Sequence, residues 1–304
     1  MIERLPFLKP MAARWSRLSP FFKGVLCMLA SGIMMTMMQA LIRKMSQEIH
    51  PLELVFFRNL FALLILSPVF LKHGFGILRT GHLRFHVIRG IFQVGSMTLF
   101  FLGISMTPLA EVSALNFITP IIVTILAGFT LGEKVGLNRW TAVAGGFIGA
   151  MIVIRPGFTA VGWGPILVLA STLFWAGAVI TIKVLSRTES SLTATLYLSV
   201  IVLPFAFVPA VFVWQWPALD QLVTVFFLAM FGTAGHLCFA QALKYADATA
   251  MMPVEFTRLI WASVVGYLMF VELPGAWTWI GGAVIFLSSF YITWSESRKA
   301  KLGG

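Results

Sequence analysis

Glu255 and Arg258 stand three residues apart inside PVEFTRLIWASVVGYLMFVE (residues 253–272), an almost wholly apolar run long enough for one helix of about 20 residues. A spacing of three puts both side chains on one helical face, close enough to pair. Either the two neutralise each other structurally, or they face a bound solute. In the second reading the guanidinium offers a carboxylate two parallel donors. Glu255 could then hold an amino or sulfonium group, which suits a zwitterion. Asn116 and Thr119 fall at the corresponding positions, within one residue, of an earlier run of similar pattern.

Other polar residues also interrupt apolar stretches. Arg89, Gln93 and Ser96 follow i, i+4, i+7 spacing and so share one stripe of a helix. Gln93 is the candidate to face an internal cavity, whereas Arg89, near its helix end, either reaches lipid phosphates or contacts a solute. His236 and Gln241 lie together in a later run. His236 is either a packing hydrogen-bonder or, with an ordinary pKa near 6.5, a proton carrier. Arg58, seven residues past Pro51, is either an anion contact at an outer mouth or a partner for Glu53 or a neighbouring helix end. Trp175 and Trp261 are placed by depth to wall a pocket for a flat or amphiphilic ligand.

The elements that must position these residues are membrane spans. In 304 residues, 59% hydrophobic and 11% charged with a mean hydropathy of +0.92, there is too little polar surface for a water-soluble fold. Spans are expected at 22–41, 51–71, 86–106, 109–131, 138–154, 163–184, 191–213, 220–243, 248–271 and 276–295. The apolar runs are continuous rather than alternating, so the spans are helices and not barrel strands. With a cytoplasmic N-terminus, sixteen of the twenty-two Lys and Arg residues fall on inside segments and three, Arg43, Lys44 and Arg155, on outside ones. This asymmetry predicts both termini in the cytoplasm and a first helix retained rather than cleaved. Cys27 and Cys238 both lie in apolar runs and imply no disulfide framework.

An internal repeat is legible as well. PLAEVSALNFITPIIVTILAGFTLGE (108–133) and ADATAMMPVEFTRLIWASVVGYLMFVE (246–272) each end in a Glu, followed at equal distance by Trp140 and Trp279, and Gly145 and Gly146 are echoed by Gly281 and Gly282. Each half holds five spans. Because five is odd, the second half crosses the membrane in the opposite sense, and such inverted repeats place a site near the midplane between the halves. The expected organisation is a basic cytoplasmic segment over 1–21, repeats over 22–156 and 157–295, and a basic cytoplasmic tail over 296–304. Glu133 and Glu272 read as boundary and loop-ordering residues. Gly145 and Gly149 form a G-x-x-x-G suited to close helix contact.

The run HVIRGIFQVGSMTLFFLGISMTPLAEVSALNFITPIIVTILAGFTLGEKVGLNRWTAVAGGFIGAMIVIRPG resembles an EamA-type unit of the drug/metabolite transporter superfamily, and a second unit continues to about residue 295. EFTRLIWASVVGYLMFVE resembles, more narrowly, a bacterial branch that includes S-adenosylmethionine-uptake-like proteins and relatives of solute carrier family 35. The resemblance implies an all-α membrane protein of ten transmembrane helices in two five-helix inverted repeats, working as a secondary transporter with a central cavity. One departure stands out: Leu259, beside Arg258, occupies the position of Pro120, so the two halves need not line the cavity equally.

Several other classes of function lack their motifs. There is no G-x-S-x-G, no H-E-x-x-H and no pair of aspartates within spans, which argues against an intramembrane enzyme. Without a G-x-x-x-x-G-K-[ST] loop the chain has no ATP-hydrolysing motif, and its scattered basic residues form no nucleic-acid patch. The expectation is a carrier of small carboxylate-bearing anions or zwitterions, of amino-acid or S-adenosylmethionine type, in a bacterial inner membrane. It needs no cofactor, works as a monomer or homodimer, and takes a proton or counter-solute as coupling partner. Efflux of amphiphilic compounds is the alternative, and a channel or non-transporting membrane partner a more distant one.

Overall fold

The computed structural model describes residues 18–73, 80–116, 118–130, 137–154, 162–245, 251, 254 and 257–302. All regular structure among them is helical: α1 (Pro20–Met45), α2 (Pro51–His73), α3 (Leu83–Ser105), α4 (Leu109–Asn116), α5 (Thr119–Thr130), α6 (Leu137–Ile154), α7 (Trp163–Leu185), α8 (Ser191–Val211), α9 (Leu219–Tyr245), α10 (Thr257–Phe270) and α11 (Ala276–Leu302). Six of these are long and apolar enough to cross a bilayer, and four shorter apolar helical stretches supply the remaining spans. The fourth span is the sum of α4 and α5, which part around Ile118. The ninth comprises α10 with the helical residues Met251 and Val254 before it. Glu255, Glu133 and Asp247 lie outside the described residues. α11 continues as helix to Leu302, well into the stretch read from sequence as a tail.

Backbone groups in lipid must be satisfied within the segment, and the helix ends show how. Ser19, before Pro20, accepts from Phe22 N–H (3.3 Å), and Ser190 accepts from Thr193 N–H (2.9 Å). Hydroxyls inside spans bond back to their own helix, as in Thr36 to Gly32 O (2.9 Å) and Ser288 to Val284 O (2.8 Å). The turn after α1 recurs after α7 at an offset of 140 residues. Ser46 and Ser186 each donate N–H to the carbonyl four residues back (Ile42 and Ile182, both 2.8 Å). Their Oγ atoms donate three back, to Arg43 and Lys183 (both 2.8 Å). The same turn thus closes the first span of each half.

The helix pairing follows the repeat. The most extensive contact is α1 with α9, and exchanging the halves maps it onto α3 with α7, the next most extensive; α6 with α11 and α2 with α8 map onto themselves. Lipid gives helices no hydrophobic incentive to associate, so close backbone approach through small residues matters. At the α6/α11 crossing, a Cβ on Gly149 would stand 2.8 Å from Gly281 O, and one on Gly281 would stand 2.6 Å from Gly149 O. At α3/α7, a Cβ on Gly103 would meet Val168 N at 2.9 Å.

One ion pair ties three spans together at one end of the bundle. Arg43 Nη1 donates to Glu272 Oε2 (2.8 Å), Arg43 Nη2 pairs with Glu272 Oε1, and Leu109 N–H at the start of α4 also reaches Oε2 (3.3 Å). The Arg43 guanidinium lies over the Phe270 ring at 5.1 Å. Val271, just before Glu272, adopts φ 55°, a left-handed conformation rare for a β-branched residue, and so turns the chain back toward Arg43.

The helix crossings make a direct test. Gly281→Ala presses a methyl into the Gly149 carbonyl and is expected to cost about 1–3 kcal/mol, read as a lower Tm of purified protein. Gly275→Ala, with nothing within 4 Å of the new Cβ, should leave Tm unchanged. Equal Tm values for the two variants would contradict the close crossing.

Candidate functional site

Six spans, three from each half, surround one central cavity: the first, third, fourth, sixth, eighth and ninth. The void between atoms is about 940 Å³ including its open part, of which about 90 Å³ admits the centre of a water molecule. As it stands the cavity therefore has room for a handful of waters, at roughly 10–15 Å³ each on that measure. A larger solute needs its walls to give. Met35, Met38 and Met97 form part of those walls, and thioether side chains re-pack readily.

Each wall is a helical stripe. Ser31, Met35, Met38 and Gln39 face inward from α1, Gln93, Ser96, Met97 and Phe100 from α3, and Ser171, Trp175 and Val179 from α7. α4 and α5 contribute Ser113, Asn116 and Thr119, α9 contributes His236 and Phe239, and α10 contributes Arg258. The break between α4 and α5 falls between Asn116 and Thr119, so the fourth span is interrupted where it borders the cavity. Broken helices of this kind are tolerated at membrane depth where they line a cavity.

The polar atoms converge without partners. Gln39 Oε1, Gln93 Oε1, Ser113 Oγ, Thr119 Oγ1 and His236 Nδ1 are all buried with no hydrogen bond among the described residues, and all five residues border the cavity. Leaving such a group unsatisfied costs about 1–3 kcal/mol, so five together define a place built for water or a ligand. Trp175 stands edge-on to His236 (5.7 Å) and tilted to Phe239 (5.6 Å), giving this polar ring an aromatic wall. The stem of Arg258 runs against α1, where a Cβ on Gly32 would lie 3.2 Å from its Cγ; the missing side chain makes room for it.

Of the residues singled out by sequence, Arg258, Asn116, Thr119, Gln93, His236 and Trp175 border this cavity. Four others do not. Arg89 is 1% exposed and donates from Nη1 to Ala194 O (2.8 Å), away from the cavity wall. Gln241 Oε1 accepts from Ser191 Oγ (3.1 Å). Trp261 is half-buried on α10, its Nε1 without a partner among the described residues. Arg58, also 1% exposed, donates to Asn59 Oδ1 (2.9 Å), while Glu53 Oε1 accepts from Gln215 N–H (2.6 Å), so the two do not meet. Glu255 is outside the described residues.

Gln39, Ser31, Ser113, Ser171 and the three methionines are cavity residues that the sequence reading passes over. Their signal was the same as for Gln93: polar groups at helical spacing within an apolar span, as Ser31 and Gln39 are at i and i+8. A polar cavity at mid-depth between two matched halves defines a membrane transport protein rather than a receptor or a structural span. The chain belongs to the EamA-like transporter family, whose sequence profile matches it twice, over residues 22–155 and 162–294. It is 29% identical over 255 residues to an S-adenosylmethionine uptake transporter of Rickettsia bellii, covering 83% of this chain and 86% of that one. It is 31% identical over 226 residues to a riboflavin transporter of Vibrio cholerae (74% and 76% of the two chains). A solved crystal structure superposes with a TM-score of 0.60 at 16% identity, covering 92% of this chain and 96% of its own, and so shares the fold.

Because unsatisfied polar groups are held here at a cost to stability, Gln93→Leu is expected to keep or raise Tm while lowering transport roughly tenfold. A fall in Tm with transport lost in proportion would make Gln93 a structural residue.

Proposed function

We propose that this chain is a secondary carrier that moves small organic solutes bearing a carboxylate, as anions or zwitterions, by alternating access through the central cavity. The observation that carries this reading is Arg258, a mid-span arginine on the wall of a hollow where five polar atoms have no partner among the described residues. An arginine on a cavity wall offers a solute carboxylate a planar fork of donors. Glu255, three residues earlier in the sequence, supplies the place for a solute's amino or sulfonium group. S-adenosylmethionine carries both charges, which makes it the first solute to test. The charge asymmetry of the loops supports a cytoplasmic membrane with both termini inside. The matched halves support a cycle in which each takes the other's arrangement, driven by a proton or a counter-solute.

Efflux of amphiphilic compounds is a second reading, favoured by the apolar part of the same cavity: Phe100, Phe101, Trp175 and Phe239 with the three methionines. In that case aromatic contact dominates and Arg258 is structural.

Counterflow in proteoliposomes separates the two. Arg258→Ala should cut exchange of labelled S-adenosylmethionine by roughly 10–100-fold with protein still in the membrane, the loss expected for a hydrogen-bonded charge. Arg258→Lys should restore little, since the planar fork is gone. Wild-type rates in both variants would assign Arg258 to structure.

A further inference from the structure

Behind the cavity wall lies a second cation. Arg58 on α2 is 1% exposed, and its single hydrogen bond among the described residues goes to the neutral Asn59. Its Nε is buried without a partner, and among the described residues no carboxylate pairs with it. Its guanidinium lies against the backbone of α9 at Gly232, where an added Cβ would meet Nε and Nη2 at 3.1 Å each. Two methionines that line the cavity lie beside this group. Met38 Sδ would lie 2.6 Å from the same Cβ, and Met97 Sδ takes the amide of Asn59 at 3.9 Å; both methionines border the cavity. A buried guanidinium with one neutral partner is an uncompensated charge, costly unless an anion reaches it in some other state. Thioethers are the side chains best suited to swing aside at little cost.

From this arrangement we propose that Arg58 with Asn59 is a second anion subsite of the transport path, covered here by Met38 and Met97 and uncovered when their side chains rotate. Gly32, beside Arg258, and Met38, beside Arg58, are six residues apart on α1, so the two cations are staged about 9 Å apart along that helix. The acidic group of a solute passes between them: Arg258 holds it at mid-depth, and Arg58 receives it nearer the end of α1 that carries Arg43. The subsite selects for an acidic group a second time, after Arg258, and it rests on the carboxylate reading of the cavity.

The test is chemical access to Arg58. Purified protein is treated with phenylglyoxal, an arginine-selective dicarbonyl, and modification of Arg58 is read by peptide mass spectrometry. Wild-type Arg58 is expected to react slowly, and Met38→Ala with Met97→Ala to speed the reaction at least about tenfold. S-adenosylmethionine should protect Arg58 in that double variant, and its decarboxylated analogue should not. In counterflow, Arg58→Gln should lose S-adenosylmethionine exchange and Arg58→Lys should recover part of it, which a purely structural arginine relying on its fork would not allow. Unchanged Arg58 reactivity after both methionines are removed, or equal protection by the two ligands, overturns the subsite. If Arg58→Gln fails to accumulate, the labelling result decides alone. A wild-type protein that neither binds nor exchanges S-adenosylmethionine overturns the carboxylate reading itself. Intact dependence on Arg258 with an unreactive Arg58 overturns only the second subsite.

Discussion

A guanidinium within a membrane span is costly, and Arg258 lies on the wall of an internal hollow. Such a hollow keeps apart helices that would otherwise pack tightly. They must then be held together elsewhere by contacts that do not depend on the hydrophobic effect. The structure meets this need. Gly149 against Gly281 and Gly103 against Val168 bring backbones into contact away from the cavity. Glu272 gathers Arg43, Leu109 N–H and its own chain at one membrane end. A second cluster, including Met28, Val123, Ile182 and Leu243, packs one end of the bundle with apolar side chains.

The two halves are alike in construction and unlike in chemistry. The turns at Ser46 and Ser186 match bond for bond, and helix contacts come in exchangeable pairs. Yet Arg258 in the second half corresponds to the neutral Thr119 in the first. The cavity therefore has a charged residue on the second half's wall where the first half has a polar, uncharged one.

Much of this was readable in the sequence because bilayer thickness imposes a length on every span and lipid imposes apolarity. The spans, the repeat and the boundary position of the Glu closing the ninth helix follow from those two constraints, whereas its pairing with Arg43 does not. The stripe Gln93, Ser96 follows from helical geometry alone. What the sequence could not tell is where each stripe points once helices pack. Arg89, Gln93 and Ser96 share a spacing, yet only Gln93 and Ser96 reach the cavity, while Arg89 is captured by the carbonyl of Ala194. Arg58 lies five residues from Glu53 in sequence yet bonds to Asn59, while Glu53 accepts from Gln215 N–H. The interruption of the fourth span at Ile118 did have a mark in the sequence, Thr119 and Pro120 at the start of the following helix, which the reading by apolarity alone passes over.

The most direct measurement is whether water reaches mid-depth beside Arg258. With Cys27 and Cys238 replaced by alanine, a cysteine placed at Thr119 would be exposed to a small charged methanethiosulfonate reagent from each side of the membrane in turn. The expected result is rapid labelling from at least one side, slowed by S-adenosylmethionine in proportion to its occupancy of the cavity. A cysteine at this position that stays unlabelled from both sides, with and without solute, would mean that the hollow is dry and that Arg258 is a structural residue.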